Sequence, residues 1–186
     1  VEEIDDIVLV AAADCTGHGV PGALLSVVCH NALNRAVREY KLISPAQILN
    51  KVREIVIEKF TSSDMEIEDG MDIALLALNK KKNTVVYAGA NNNLYLVRNG
   101  KLQEFISDKM PVGRYLVNKE FSEIKIEINE GDQLYIYTDG FADQFGGPNR
   151  KKFKYSAFKE RFVNIHQLSI QKQKEELGKL PAPILL

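Results

Sequence analysis

Apolar positions along the chain fall into runs of different period, and each change of period predicts a change of element. After Asp6 the chain is continuously apolar through Ile7, Val8, Leu9, Val10, Ala11, Ala12 and Ala13, so the segment from Ile4 predicts a central strand covered on both faces and ending at Asp14. Gly17, His18, Gly19, Val20, Pro21 and Gly22 predict a tight turn, with Pro21 in the first turn of the next helix, where its missing N–H costs little. That helix is expected to run to about Tyr40, with Leu24, Val27, Val28, Leu33, Val37 and Tyr40 roughly on a 3.6-residue period. Ser44, Pro45 and Gln47 carry the start signals of a second helix, continued by Ile48, Leu49, Val52, Ile55, Val56 and Phe60.

Beyond the acidic linker from Thr61 to Gly70 the period becomes that of sheet. Met71–Leu78 and Thr84–Gly89 read as consecutive strands, and Leu94–Val97 with Lys101–Phe105 as a hairpin around Asn99-Gly100. Ile124, Ile126 and Ile128 alternate with Lys125 and Glu127, and Gln133–Thr138 predicts a further strand that stops at Asp139-Gly140. Tyr155–Ile165 places Phe158, Phe162 and Ile165 near one helical face, Ser169–Lys179 is a charged helix, and residues 180–186 form an irregular tail. Two helices after one strand, then several strands in succession, exclude the steady alternation of a doubly wound parallel fold. The expectation is one α+β domain over residues 1–186, with helices layered over strands from more than one sheet.

Composition narrows the function classes. Of 186 residues, 45% are hydrophobic and 26% charged, the balance of a globular domain, and 24 Lys and Arg against 25 Asp and Glu leave a net charge of −1. That cancellation argues against a dedicated nucleic-acid grip. No apolar run reaches the roughly 18 residues of a membrane span. The two cysteines, Cys15 and Cys29, lie in or beside apolar runs and read as small core fillers rather than as a redox or metal pair. A reducing, cytoplasmic location follows from that usage. The opening Val1-Glu2-Glu3 has neither a Met nor a basic leader, and a piece of a longer chain is expected.

Two carboxylates occupy equivalent places: Asp14 and Asp139 each stand where a buried strand stops and a glycine turn begins. Each is either a turn residue accepting backbone N–H groups or one half of a pair meeting in a cleft. A bare pair would repel, whereas a divalent cation with a taste for oxygen, Mg²⁺ or Mn²⁺, would reverse the sign. His18 lies inside the glycine turn, either bonded to a neighbouring loop or available to a phosphate. Gly17, Gly19 and Gly22 allow unusual backbone angles but do not match the spacing of a nucleotide P-loop. Asp72 reads equally as an accessory metal carboxylate or a strand-start residue. Asp143, one helical turn past Asp139, orients water or Thr138 from behind the site or is simply solvated. Asn91, Asn92 and Asn93 are expected to cap backbone groups in a turn, and the basic run Arg150–Lys154 to be a solvated loop.

Taken together these residues resemble a known pattern. The stretch from Asp14 to Leu25, DCTGHGVPGALL, is similar to the D-x-[ST]-G-H-G-[VM]-x-[AG]-A-L signature of SpoIIE-type bacterial serine/threonine phosphatases, which are metal-dependent and PP2C-like. Asp69–Asp72, Tyr87–Asn92, Pro111–Gly113 and Gly131–Gly140 resemble later blocks of the same family, in order, over most of the chain from about Ile4 to Phe162. The resemblance implies a four-layer α-β-β-α sandwich with two Mg²⁺ or Mn²⁺ ions at one edge. It implies that Asp14 bridges both ions, that the Cys15 backbone carbonyl binds one and Asp139 the other, and that a metal-activated water hydrolyses phosphoserine or phosphothreonine without a phosphoenzyme. The substrate implied is a phosphorylated regulatory protein such as an anti-sigma-factor antagonist. Also implied is an upstream sensory domain, with membrane anchoring through that domain and a homodimer as options.

The chain departs from the family at both ends: the first strand with its Gly-Asp-Phe/Tyr motif and the closing strand with its Asp-Asp or Asp-Asn motif have no counterpart. The sandwich is therefore expected to be incomplete at both edges. The alternative function is a non-catalytic regulatory module that keeps the phosphatase fold without a full metal set.

Overall fold

The structure, a computed structural model, describes residues 1–61, 70–116, 119–142, 145–146, 151–152 and 155–178. A hairpin of β1 (Glu2–Ile4) and β2 (Ile7–Cys15) leads into helices α1 (Gly19–Arg38) and α2 (Pro45–Thr61). Strands β3 (Gly70–Asn79), β4 (Thr84–Ala90), β5 (Leu94–Arg98), β6 (Lys101–Phe105), β7 (Val112–Gly113), β8 (Ile124–Glu127) and β9 (Gln133–Tyr135) follow. The chain continues through α3 (Asp139–Ala142), β10 (Phe145–Gly146), β11 (Lys151–Lys152), α4 (Tyr155–Ile165) and α5 (Ile170–Gly178). One sheet has the order β1-β2-β3-β4-β8 with β7 beside β3, a second the order β6-β5-β9, and β10-β11 pair separately.

Side-chain alternation stacks these parts into four layers. On β3, Ile73, Leu75 and Ala77 pack with Leu25, Ile48, Leu49 and Val52 of α1 and α2, while Ala74 and Leu76 on the opposite face meet Leu94 and Leu96 of β5. β5 repeats the device, since Tyr95 and Val97 turn the other way and pack with Phe158 and Phe162 of α4. The order is therefore helices, sheet, sheet, helices, an α+β sandwich, as the resemblance implies. No described helix is long and apolar enough to cross a membrane.

Several local signals act as expected. Ser44 Oγ accepts the Gln47 N–H at 3.3 Å, capping α2 ahead of Pro45. Asn99 and Gly100 both take positive φ, 50° and 72°, the conformation that lets a two-residue hairpin follow strand twist. Elsewhere the structure differs from expectation. The first strand is a hairpin broken at Asp5, whose φ is 51°. It is also not covered on both faces: β1 pairs with β2 only as far as Leu9, and Ala11, Ala13 and Asp14 are exposed.

Helix α1 buries Gly22, Leu25, Cys29, Ala32, Ala36 and Val37 instead of the larger stripe, leaving Leu24, Val27 and Tyr40 exposed. Small side chains on the inner face let the helix sit close to its neighbours, and that close packing outweighs the pull of bulk alone. Strand β9 ends at Tyr135, because only Gln133–Tyr135 find a ladder partner, in β5. Residues 136–138 run on without one to Asp139. The tail at 180–186 and most of the acidic linker, residues 62–69, lie outside the described residues.

Candidate active site

Antiparallel pairing of β2 with β3 sets Asp14 directly opposite Asp72, with Cys15 opposite Met71. Like charges facing each other across a ladder are unfavourable, so this register carries a cost that nothing in the hydrophobic pattern required. The third carboxylate, Asp139, arrives from the other sheet as the first residue of α3. Asp14, Asp72 and Asp139 line one pocket of about 270 Å³ together with Cys15, Thr16, Gly17 and Asn92.

Backbone devices hold the rim in place. Thr16 closes the end of β2 onto the start of β3: its hydroxyl accepts the Gly70 N–H at 3.0 Å, and its own N–H donates to the Gly70 carbonyl at 3.0 Å. Gly17 turns the chain with a φ of 91°. A Cβ on Gly22 would stand 2.8 Å from the Gly17 carbonyl oxygen, so the turn closes against the helix only with glycine there. His18 caps α1 without a side-chain hydrogen bond, and no acidic residue occupies the first helical turn. The positive end of α1 therefore adjoins the acidic pocket without a carboxylate of its own.

Asn91 Nδ2 donates to Asp72 Oδ1 at 2.8 Å. Its backbone, at a φ of 59°, is fixed by donation to the Asp108 carbonyl at 2.9 Å. Burial pushes the Asp72 carboxyl above its ordinary value; the Asn91 hydrogen bond opposes the rise, and Asp139 and Asp14 add to it through their charges. The charge of Lys109 also pulls it back. Cys15 is brought down to about 7, first by its hydrogen bond with Cys29, while Cys29 is driven up by the same bond and by burial.

The structure thus gathers Asp14, Cys15, Gly17, Asp72 and Asp139 around one pocket. His18 and Gly19 are exposed on the turn and do not line it. Asp143 lies outside the described residues. Asn92 was legible as a turn residue and not as a lining of the pocket, and Asn91 meets a side chain, Asp72, rather than a backbone group, although Asn93 Oδ1 does accept the Ser107 N–H at 3.0 Å. What places Asn91 next to Asp72 is its bridge to Ile73 just past the end of β4, which needs the register first. The cysteines keep their reading as small core fillers, Cys29 buried in the core and Cys15 half-buried against the same cluster.

Among the described residues, no group of three or more His, Cys, Asp or Glu side chains forms a ready-made metal cluster. The donors lining the pocket nevertheless suit a hard divalent cation, being carboxylate oxygens that repel one another.

A family model described as Stage II sporulation protein E (SpoIIE) matches residues 5–179. Among solved structures the chain is similar to the SiaA-PP2C domain of Pseudomonas aeruginosa, at 26% identity and a TM-score of 0.84, over 95% of this chain and 69% of that one. It is also similar to the RsbU and RsbW domains of a Mycobacterium tuberculosis protein, at 18% identity and a TM-score of 0.71, over 92% of this chain and 47% of that one. The PP2C phosphatase domain with a fragment of the regulatory domain of SpoIIE from Bacillus subtilis matches at 15% identity and a TM-score of 0.66, over 92% of this chain and 48% of that one. The chain spans about half the length of these last two. No curated protein matches it.

Proposed function

Since the chain belongs to the SpoIIE family of PP2C-like phosphatases, we propose that it hydrolyses phosphoserine or phosphothreonine in a bacterial regulatory protein with the help of Mg²⁺ or Mn²⁺. One observation carries the reading: Asp14 and Asp72, from two paired strands, and Asp139, from the start of α3, line the same pocket. Repelling carboxylates lower stability, and a site that binds cations is the simplest reason to keep them together.

In this reading Asp14, Asp139 and the Cys15 carbonyl hold the metal, and Asp72 stands beside them. The metal, when bound, supplies a water of lowered pKa and positive charge for the phosphoryl oxygens. The chain's own residues position that chemistry. Asn91 fixes the Asp72 carboxylate by hydrogen bonding, and Thr16 fixes the strand end that carries Asp14 and Cys15. The uncapped start of α1 offers backbone N–H groups beside Gly17, which favour an anionic phosphate. His18, exposed on the same turn, is a proton donor to a leaving serine or threonine oxygen only after the turn brings it over the pocket. The partner in this reading is a phosphorylated regulator such as an anti-sigma-factor antagonist, under control of a sensory region elsewhere in a longer chain.

A second reading, a regulatory module without catalysis, is favoured by the lack of a compact three-acid cluster among the described residues. Phosphate release from a phosphoserine peptide separates the two. Mn²⁺-dependent release that EDTA abolishes supports the enzyme; no release with Mn²⁺ or Mg²⁺ from a folded chain supports the module.

A further inference from the structure

Three consecutive asparagines join β4 to β5, and their side-chain amides are treated differently. Asn91 Nδ2 donates to Asp72 Oδ1 at 2.8 Å, and Asn93 Nδ2 donates to Glu104 Oε1 at 2.8 Å. Asn92 lies between them, lines the carboxylate pocket and is only 7% exposed. Its Nδ2 is buried and has no hydrogen-bond partner among the described residues. A buried donor without an acceptor carries a desolvation penalty, and each one in a folded protein needs a reason.

The backbone that carries Asn92 is pinned. Its N–H donates to the Ala90 carbonyl at 2.7 Å, and its carbonyl accepts the Tyr87 hydroxyl at 2.6 Å. A Cβ on Gly89 would stand 2.6 Å from that carbonyl oxygen, so the turn folds over the end of β4 only with glycine there. The amide is thereby kept at the pocket wall with nothing to donate to. Whatever satisfies it has to bring an acceptor, which a metal cation lacks and an anionic oxygen supplies. Asp72, on the same pocket, is already engaged by Asn91.

We propose that Asn92 is a binding residue for the phosphoryl group of the substrate, its Nδ2 donating to a phosphate oxygen that enters the pocket. The inference rests on the phosphatase reading and adds to it a side chain that touches substrate rather than metal. A neutral amide suits the place. A Lys or Arg there would pair with the carboxylates that are to hold the cation, whereas an amide donates to phosphate and leaves their charge free. Two rotatable side-chain bonds let the amide turn toward the entering oxygen while the backbone stays fixed.

The test follows the side-chain NH2 signal of Asn92 by nitrogen–proton correlation NMR, identified by its loss in Asn92→Asp and in Asn92→Ala. Mg²⁺ is added first, since Mn²⁺ broadens nearby signals, and then inorganic phosphate. The signal is expected to shift on addition of phosphate. By calorimetry, affinity for phosphate in the presence of Mg²⁺ should fall about tenfold in Asn92→Ala, while affinity for Mg²⁺ alone stays within about twofold. Asn92→Asp keeps the shape and replaces the donor by a repelling carboxylate, so it should bind phosphate more weakly still; a packing role alone would make alanine the worse of the two. An Asn92 signal that ignores phosphate, one that moves fully with Mg²⁺ alone, or an Asn92→Ala with wild-type phosphate affinity would each overturn the inference. If the wild type releases phosphate from a phosphoserine peptide and Asn92→Ala does so with the same kcat/KM, only the role of Asn92 fails. A wild-type chain that neither binds nor releases phosphate overturns the phosphatase reading with it.

Discussion

Two places in the molecule treat an aspartate in opposite ways. At the turn before β9, Asp132 is met from every side: Arg98 donates to it through Nε at 2.9 Å and Nη2 at 2.6 Å, and the Asn129 N–H donates at 2.8 Å. At the pocket, Asp14 faces Asp72 across the ladder and Asp139 adds a third negative charge, while the Lys109 charge and the Asn91 hydrogen bond oppose the rise at Asp72. The first arrangement is what folding produces when a carboxylate serves the turn. The second leaves like charges facing one another, and the proposed cation would offset them. The contrast, more than the presence of acids as such, singles out the pocket.

The strongest way to break the contrast is to remove the pocket charges. Asp14→Asn and Asp139→Asn are each expected to lower Mn²⁺-dependent phosphate release by at least about 10²-fold, while the thermal midpoint holds or rises because repulsion is relieved. Initial rates and melting curves on the same preparations check both halves. A fall in both rate and midpoint would make these residues structural.

Asp132→Asn should do the reverse. The midpoint falls by roughly 3–6 °C, the scale expected for losing one charged hydrogen-bond set in a chain of this size, and release per folded molecule is retained.

Acid titration sharpens the same comparison. Arg98 holds the Asp132 carboxyl below its ordinary value, so the folded state favours its ionised form. That stability is present above the unfolded pKa and is lost as pH falls through the lower, folded one. Asp72 is displaced the other way, chiefly by burial. Its ionisation therefore costs stability above its folded pKa, and protonation on the way down returns it. Melting points from pH 7 to pH 3 without metal should show Asp132→Asn losing part of the acid-side decline of the wild type. Asp72→Asn should instead be stabilised near neutrality, with the gain shrinking in acid.

The smallest effect is expected at Asn91. Asn91→Gly keeps the positive φ of 59° accessible while deleting the amide that steadies Asp72. A rate loss of about two- to fivefold with little change in the midpoint is expected, measured with the same peptide. A loss as large as that of Asp14→Asn would move Asn91 from a steadying role into the chemistry.

Much of the architecture was legible because it rests on local chemistry: the Ser44 cap, the Asn99-Gly100 hairpin and the alternating isoleucines of β8 each act within a few residues. Asp14 and Asp139 were legible as a pair because each follows an apolar run at a glycine turn. What the pattern could not give depends on register and on close packing. The inner face of α1 is chosen by small residues that let it approach its neighbours, so the larger Leu24 and Val27 point outward. Asn91 reaches Asp72 only once the end of β4 lies beside β3. His18 had the right residue type in a motif but does not line the pocket.

Calorimetric titration of Mn²⁺ into the folded chain, with Asp14→Asn alongside, tests most directly whether the acidic pocket exists for a cation. Saturable binding in the wild type that disappears in the variant is the expected result. A wild-type chain that takes up no Mn²⁺, or a variant that binds it equally well, would contradict it.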